Sequence, residues 1–328
     1  MIPGTAEPRY DAPDDALRRA ADRWRGLIQP ARLRELVTSL PGPRNRFDAA
    51  EAMHLTDEMI TEAWRAAGWR VGRQRLTSPA DGMNLVAIAE GDTDEAIVVV
   101  AHHDTVRGSP GADDNGAGVA ALLELAARFE GRRFGRTVIL AAPDFEEVGL
   151  IGSRSLVGWL RRTYRVRGAV VFDPIGYMNS EPGSQLVPPG IDWLFPGQVA
   201  RLRARDSVGD SVVALYRRRS LSLVQEWGRC LAATIGADRV LLLRDPLDLP
   251  LVGPALMAIP AARNFSRSDH VNFWRAGLPA IHVTNTGNFR NPNYHRPTDT
   301  PDTLDYETLA RVTAATALAV ERLAVSSR

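Results

Sequence analysis

Several short segments of this chain carry side chains able to hold a cation or move a proton. His102-x-Asp104 joins an imidazole, a neutral donor that borderline metals such as zinc accept, to a carboxylate able to fix its tautomer and orientation. Gly111-Ala112-Asp113-Asp114-Asn115-Gly116-Ala117-Gly118 places carboxylates where a turn enters a helix. A carboxylate there can bind cations through both oxygens, so Asp113 could span two ions while Asp114 or Asn115 supports the helix amides. Glu146-Glu147 precedes a glycine-rich turn. Adjacent side chains point in different directions, so one glutamate can ligate a metal while its neighbour acts as general base. Asp173 and His295, the latter in Asn293-Tyr294-His295-Arg296-Pro297-Thr298-Asp299, complete the set.

The charges of these groups suit two cations. Three carboxylates (Asp113, Glu147 and Asp173) and one hydroxide balance two divalent ions. A single ion would leave uncompensated negative charge in a partly buried site, which is costly. Two ions ~3.5–4 Å apart can polarise a carbonyl and generate a hydroxide together. The glycines at 116 and 118 loosely resemble a dinucleotide fingerprint, but the preceding apolar run ends at Ala101, too far upstream for that motif.

Positioning such groups requires elements that converge on one edge. Runs at 84–89, 96–101, 137–142, 169–172, 240–243 and 280–283 read as strands, several of them apolar throughout, as in strands covered on both faces. Between them lie helical spacings, such as Val119, Leu122, Leu123 and Ala126, and Leu223, Val224, Trp227 and Leu231. A last helix is expected to start at an Asp305 N-cap and to bury Leu309, Val312 and Leu323. The alternation predicts an α/β fold, a mostly parallel, mixed sheet with helices on both faces. Ligands bind beyond the carboxyl ends of such strands. His102 follows the run at 96–101, Glu146-Glu147 the run at 137–142, and Asp173 the run at 169–172, while His295 lies on a loop beyond 280–283.

Residues 1–13 read as a flexible arm and 14–328 as one domain, with an irregular, charged excursion at about 180–210. The chain has 328 residues, and its 40 basic and 39 acidic side chains leave a net charge of +1, so no basic excess points to nucleic acid or an anionic membrane. It contains no lysine, which excludes a Schiff-base lysine. Its one cysteine, Cys230, excludes an internal disulfide and fits a buried helix position in a reducing compartment. The acids and prolines near the start do not read as a signal peptide, and no apolar stretch is of membrane-spanning length, so the expectation is a cytoplasmic protein.

From about Leu40 to Leu323 the sequence resembles the dizinc exopeptidase family that includes bacterial leucyl aminopeptidases, aminopeptidase Y and glutamate carboxypeptidase. The likeness rests on His102-x-Asp104, Pro110-Gly111-Ala112-Asp113-Asp114-Asn115, Glu146-Glu147-Val148-Gly149-Leu150-x-Gly152-Ser153, Asp173, Ser268-Asp269-His270 and His295-x-Pro297-x-Asp299-Thr300. It implies the zinc exopeptidase fold and two zinc ions, with cobalt or manganese as possible substitutes. One zinc would be held by His102 and Asp173 and the other by Glu147 and His295, with Asp113 shared. Glu146 would be the general base, Asp104 the partner of His102, and the Asp113-Asp114 bond cis. Ser268, Asp269 and His270 would face substrate, with Arg263, Arg267 and Arg290 available for a substrate carboxylate. Phe265 stands where some relatives place an oxyanion-stabilising tyrosine, so that role is unassigned.

The implied activity is metal-dependent amide hydrolysis by an aminopeptidase acting on short peptides or amino-acid amides, with no nucleic-acid or membrane partner. The alternatives are a one-zinc glutaminyl cyclase-like acyltransferase, a carboxypeptidase or other amidohydrolase, and a binding module without turnover.

Overall fold

A computed structural model of the chain describes residues 8, 10–249, 253–256 and 260–325. The N-terminal arm therefore lies mostly outside the described residues. Three helices come first: α1 (Asp15–Leu27), α2 (Pro30–Ser39) and α3 (Ala50–Ala66). Three strands follow, β1 (Arg70–Leu76), β2 (Gly82–Ala89) and β3 (Gly91–Val100). Next come α4 (Gly118–Arg128), β4 (Phe134–Ala142), α5 (Ile151–Thr163) and β5 (Arg165–Phe172). Beyond them are α6 (Ile191–Leu194), α7 (Pro196–Arg203), β6 (Val212–Tyr216), α8 (Leu221–Ile235) and β7 (Val240–Arg244). The remaining elements are α9 (Gly253–Leu256), α10 (Pro260–Arg263), α11 (His270–Arg275), β8 (Ala280–Thr284) and α12 (Tyr306–Leu323).

The strands form one eight-stranded sheet in the order β1-β2-β4-β3-β5-β8-β6-β7. Its centre is parallel: β3 pairs with β4 and β5, and β5 pairs with β8. The antiparallel pairs β1–β2, β2–β4 and β6–β8 make it mixed. Alternation along the central strands divides the core. Ile97 and Val99 pack with α4, α8 and α12 on one face, while Val98 and Val100 pack with α5 and α11 on the other.

Two strands depart from the sequence reading. β1 is polar and lies at the sheet edge with only Leu76 buried, so it lacks the apolar signature of a buried strand. β6, Val212-Val213-Ala214-Leu215-Tyr216, is buried throughout but follows directly on the charged excursion. That excursion is not wholly irregular, since it contains α6 and α7, whose Leu194, Val199 and Leu202 are buried. Two expectations are met: Asp305 caps α12 by accepting the Thr308 N–H at 2.9 Å, and Cys230 is a free, buried cysteine in α8.

Candidate metal centre

The parallel strands β3, β4 and β5 end side by side, and the chain leaving each delivers His102, Glu146-Glu147 and Asp173 to one edge. The loop beyond β8 adds His295, and the turn before α4 adds an aspartate. That aspartate is Asp114. Its Oδ1 lies 3.2 Å from His102 Nε2 and its Oδ2 lies 3.0 Å from His295 Nε2. His102 Nε2 also stands 3.8 Å from Asp173 Oδ1, and His295 Nε2 stands 3.5 Å from Glu147 Oε2.

Two triads suited to cations result, one of His102, Asp114 and Asp173 and one of Asp114, Glu147 and His295, with ligand atoms in each within 4.8 Å of one another. They share Asp114. Glu146 lies beside them, in a further group with His102 and Glu147.

Asp113, expected as the shared ligand, points elsewhere. Its carboxylate accepts the backbone N–H groups of Gly176 at 2.7 Å and Tyr177 at 2.9 Å. The side-chain amides of Asn285, at 2.9 and 3.0 Å, and of Asn291, at 2.8 Å, also donate to it. Those bonds occupy both oxygens. The cis bond likewise joins Asp114 to Asn115, not Asp113 to Asp114. The turn that separates the two carboxylates begins at Gly111, whose φ of +63° is the left-handed conformation that glycine adopts at least cost. Asp114 then leaves helical geometry (φ −110°, ψ 91°), which turns its side chain to the opposite side from that of Asp113.

His102 donates from Nδ1 to the Asp104 main-chain carbonyl at 3.1 Å, which leaves Nε2 unprotonated toward Asp114 and Asp173 and available to a metal when the imidazole is neutral. The expected Asp104–His102 partnership thus runs through the carbonyl, with the carboxylate 3.5 Å away. That carboxylate accepts the backbone N–H of Glu146 at 3.1 Å and of Glu147 at 3.2 Å, tying the β3 and β4 ends together. Positive φ values at Phe145 (56°) and His295 (60°) mark the backbone strain that functional sites concentrate.

The site is built for added positive charge. His102 Nε2, Asp114 Oδ1 and Glu147 Oε1 are buried without a hydrogen-bond partner among the described residues, although all belong to the triads. Burial alone would lower the His102 pKa, but Glu146, Asp104, Asp114 and Asp173 hold it well above the usual value. Burial, with the charges of Asp173, Glu147 and Asp269, raises Glu146 well above the carboxylate range, and burial with Asp114 does the same for Glu147. Asp114 is held low, because His102 and His295 outweigh its burial. The oxygen and imidazole donors fit zinc and similar divalent ions.

Several supporting residues were not legible as site residues. Arg44 is buried and donates to the carbonyls of His103 (2.9 Å), Pro110 (2.8 Å) and Gly111 (2.9 Å), clamping the loops that carry His102 and Asp114. His103, next to the ligand candidate, is structural: its ring nitrogens meet the Pro143 carbonyl at 3.0 Å and Asp57 at 2.9 Å. An arginine amid prolines and a second histidine in a pair carry no sequence signal for such roles.

Beside the centre opens a largely apolar cavity of ≈ 150 Å³, walled by β6, β7, β8 and the α6–α7 segment. Asp173 and Ser268 line it, as do Phe265, Arg267, His282 and Tyr294. Phe265 stacks on Phe195, ring centroids 5.6 Å apart. Asp269 is fully buried and pushed up to about 7 by desolvation, with both carboxylate oxygens unpaired among the described residues. His270, expected to face substrate, instead donates to the Phe265 carbonyl at 3.0 Å and stacks on His282. Arg263 is exposed and does not line the cavity, and Arg290 is buried against Gln185 at 2.8 Å.

The chain belongs to peptidase family M28, whose model matches residues 84–207 and 252–320. It is therefore a hydrolase of the metallopeptidase class, and its mixed sheet is the fold of that family's aminopeptidases. The uncharacterized protein YfbL of Escherichia coli is 28% identical over 291 residues, 84% of this chain and 82% of that protein. A probable zinc metalloprotease of Pyricularia oryzae is 30% identical over 195 residues, 49% of this chain and 38% of the relative. Among solved structures, the LapA aminopeptidase of Legionella pneumophila superposes with a TM-score of 0.70 at 18% identity, covering 100% of this chain and 78% of LapA. The glutaminyl cyclase of Fimbriiglobus ruber superposes with a TM-score of 0.61 at 19% identity, covering 96% and 98% respectively.

Proposed function

We propose that the chain is a zinc-dependent aminopeptidase-like hydrolase that cleaves an amide bond in short peptides or amino-acid amides, using two metal ions. The observation that carries this reading is the pair of ligand triads sharing Asp114, with Glu146 alongside. His102, Asp114 and Asp173 would hold one ion, and Asp114, Glu147 and His295 the other. When bound, such ions supply Lewis acidity toward a carbonyl oxygen and toward water. Glu146 takes a proton from the attacking water on its carboxylate and returns it to the leaving amine. Its buried carboxylate, grouped with His102 and Glu147 beside both triads, suits that role. Asp104 positions Glu146 through the peptide N–H, and the apolar cavity excludes water and receives a substrate side chain. Cys230, free and buried, fits the expected cytoplasmic setting.

The structural likeness to a glutaminyl cyclase keeps a one-zinc acyltransferase as the second reading. Metal analysis of zinc-saturated protein, coupled to a screen of aminoacyl-anilides, dipeptides, N-acyl amino acids and N-terminal glutamine peptides, decides between them. Two zinc ions per chain with release of free amine supports hydrolysis. One ion with cyclised glutamine product overturns it.

A further inference from the structure

The cations described so far, Arg44 and the buried imidazole of His102, are taken up by loop carbonyls and by the acids of the centre itself. Arg267 is the only cationic side chain lining the cavity among the described residues. It has no carboxylate partner there. Its Nη1 donates to Asn288 Oδ1 at 2.8 Å, and its guanidinium carbon stands 5.9 Å from the centroid of the Tyr294 ring. Tyr294 in turn stacks on His295, a member of the metal triads, with ring centroids 3.9 Å apart. The guanidinium is thus held beside the centre while most of its five N–H donors stay free among the described residues.

Next in sequence, Ser268 lines the same cavity, is 1% exposed, and has a hydroxyl without a hydrogen-bond partner. A buried hydroxyl left unpaired is costly unless a ligand completes it. The acidic side chains nearby also repel an incoming anion, so a substrate bearing one needs a compensating cation within the cleft.

We infer that Arg267, with the Ser268 hydroxyl, forms a carboxylate-binding subsite, and that the substrates are dipeptide-like molecules joining an apolar side chain to a free carboxylate. The guanidinium fork pairs with a carboxylate bidentately, the serine hydroxyl donates a further bond, and the apolar walls take the side chain. The inference rests on the hydrolase reading for its choice of substrate, while the binding chemistry rests on Arg267 and Ser268 alone.

The test compares leucyl-leucine with leucyl-leucinamide, which differ only in the carboxylate. In zinc-loaded protein the wild type is expected to favour the acid, and Arg267→Gln to lower the acid-to-amide ratio of kcat/KM by about 30-fold, the loss typical of a charge-assisted hydrogen bond. Arg267→Lys is expected to restore part of that ratio. An unchanged ratio in Arg267→Gln overturns the inference.

Calorimetric titration of both peptides into Glu146→Gln protein, with Arg267 intact or replaced by Gln, measures the same discrimination without turnover. Tighter binding of the acid that depends on Arg267 supports the subsite even if neither peptide is hydrolysed, in which case the hydrolase reading alone falls. Equal binding of acid and amide overturns the subsite. N-acetyl-leucine, with its carboxylate on the residue that fills the cavity, separates a C-terminal register from one in which the carboxylate belongs to the next residue. Binding as tight as leucyl-leucine favours the former, and both results support the subsite if they require Arg267.

Discussion

Asp299 holds Asp114 by its main chain: Asp299 Oδ2 accepts the Asp114 N–H at 3.1 Å while Oδ1 accepts the neighbouring Asp113 N–H at 2.9 Å. A carboxylate nearly two hundred residues downstream thus fixes the turn from which the two adjacent aspartates diverge. Replacing it with alanine leaves two buried donors unpaired, at about 1–3 kcal/mol each. Asp299→Ala is expected to lower the unfolding midpoint in denaturant and weaken metal binding ~10–100-fold, as loss of a ligand-orienting partner does. Wild-type metal affinity in a folded Asp299→Ala protein would contradict this role.

Asp113 and Asp114 are expected to fail differently when each becomes asparagine. Asp114→Asn removes the charge that faces both imidazoles, so bound metal should drop below one ion per chain while the protein stays folded. Asp113→Asn turns an amide toward the donors of Gly176, Tyr177, Asn285 and Asn291, and should cost stability by about 2–4 kcal/mol. Thermal melts read beside metal content separate the two. A reversed pattern would show that Asp113 is the ligand after all.

Glu146→Gln preserves shape and is expected to keep its metal while turnover falls ~10²–10⁴-fold, the range for removal of a general base. Rates equal to wild type in the loaded variant would remove Glu146 from proton transfer.

Metal-free protein should become less stable as pH rises from about 4 to about 7. Asp269 and Asp299 are both pushed up to about 7, chiefly by burial, so each keeps its proton in the folded chain after it has lost it in the unfolded one. Stability present below the unfolded value is therefore lost as pH climbs toward the folded one. The raised His102 acts in the same direction, because its favourable charge disappears at higher pH. The melting temperature of chelator-treated protein, followed from pH 5 to 8, is expected to fall, and added zinc at pH 8 to restore it. A midpoint that climbs with pH in the chelated sample would reverse the sign.

The strands were legible where burial leaves a composition. The carboxyl halves of β3, β4 and β5 are apolar because helices cover both faces, and that pattern also located their ends and hence His102, Glu146, Glu147 and Asp173. β1 was illegible because an exposed edge strand has no face to keep apolar. The choice between Asp113 and Asp114 was illegible for another reason. Both are buried acids, and the torsion angles at Asp114, together with the long-range bonds of Asp299 and Asn285, decide which one turns inward. Such bonds join residues far apart in the chain and leave no periodicity to read.

In the proposed two-ion centre one aspartate would serve both halves, so the halves would not fill independently. The first ion to arrive draws on the Asp114 charge that would also attract the second, so loading should proceed in two unequal steps. A half-filled form would then be populated whenever the free ion is scarce.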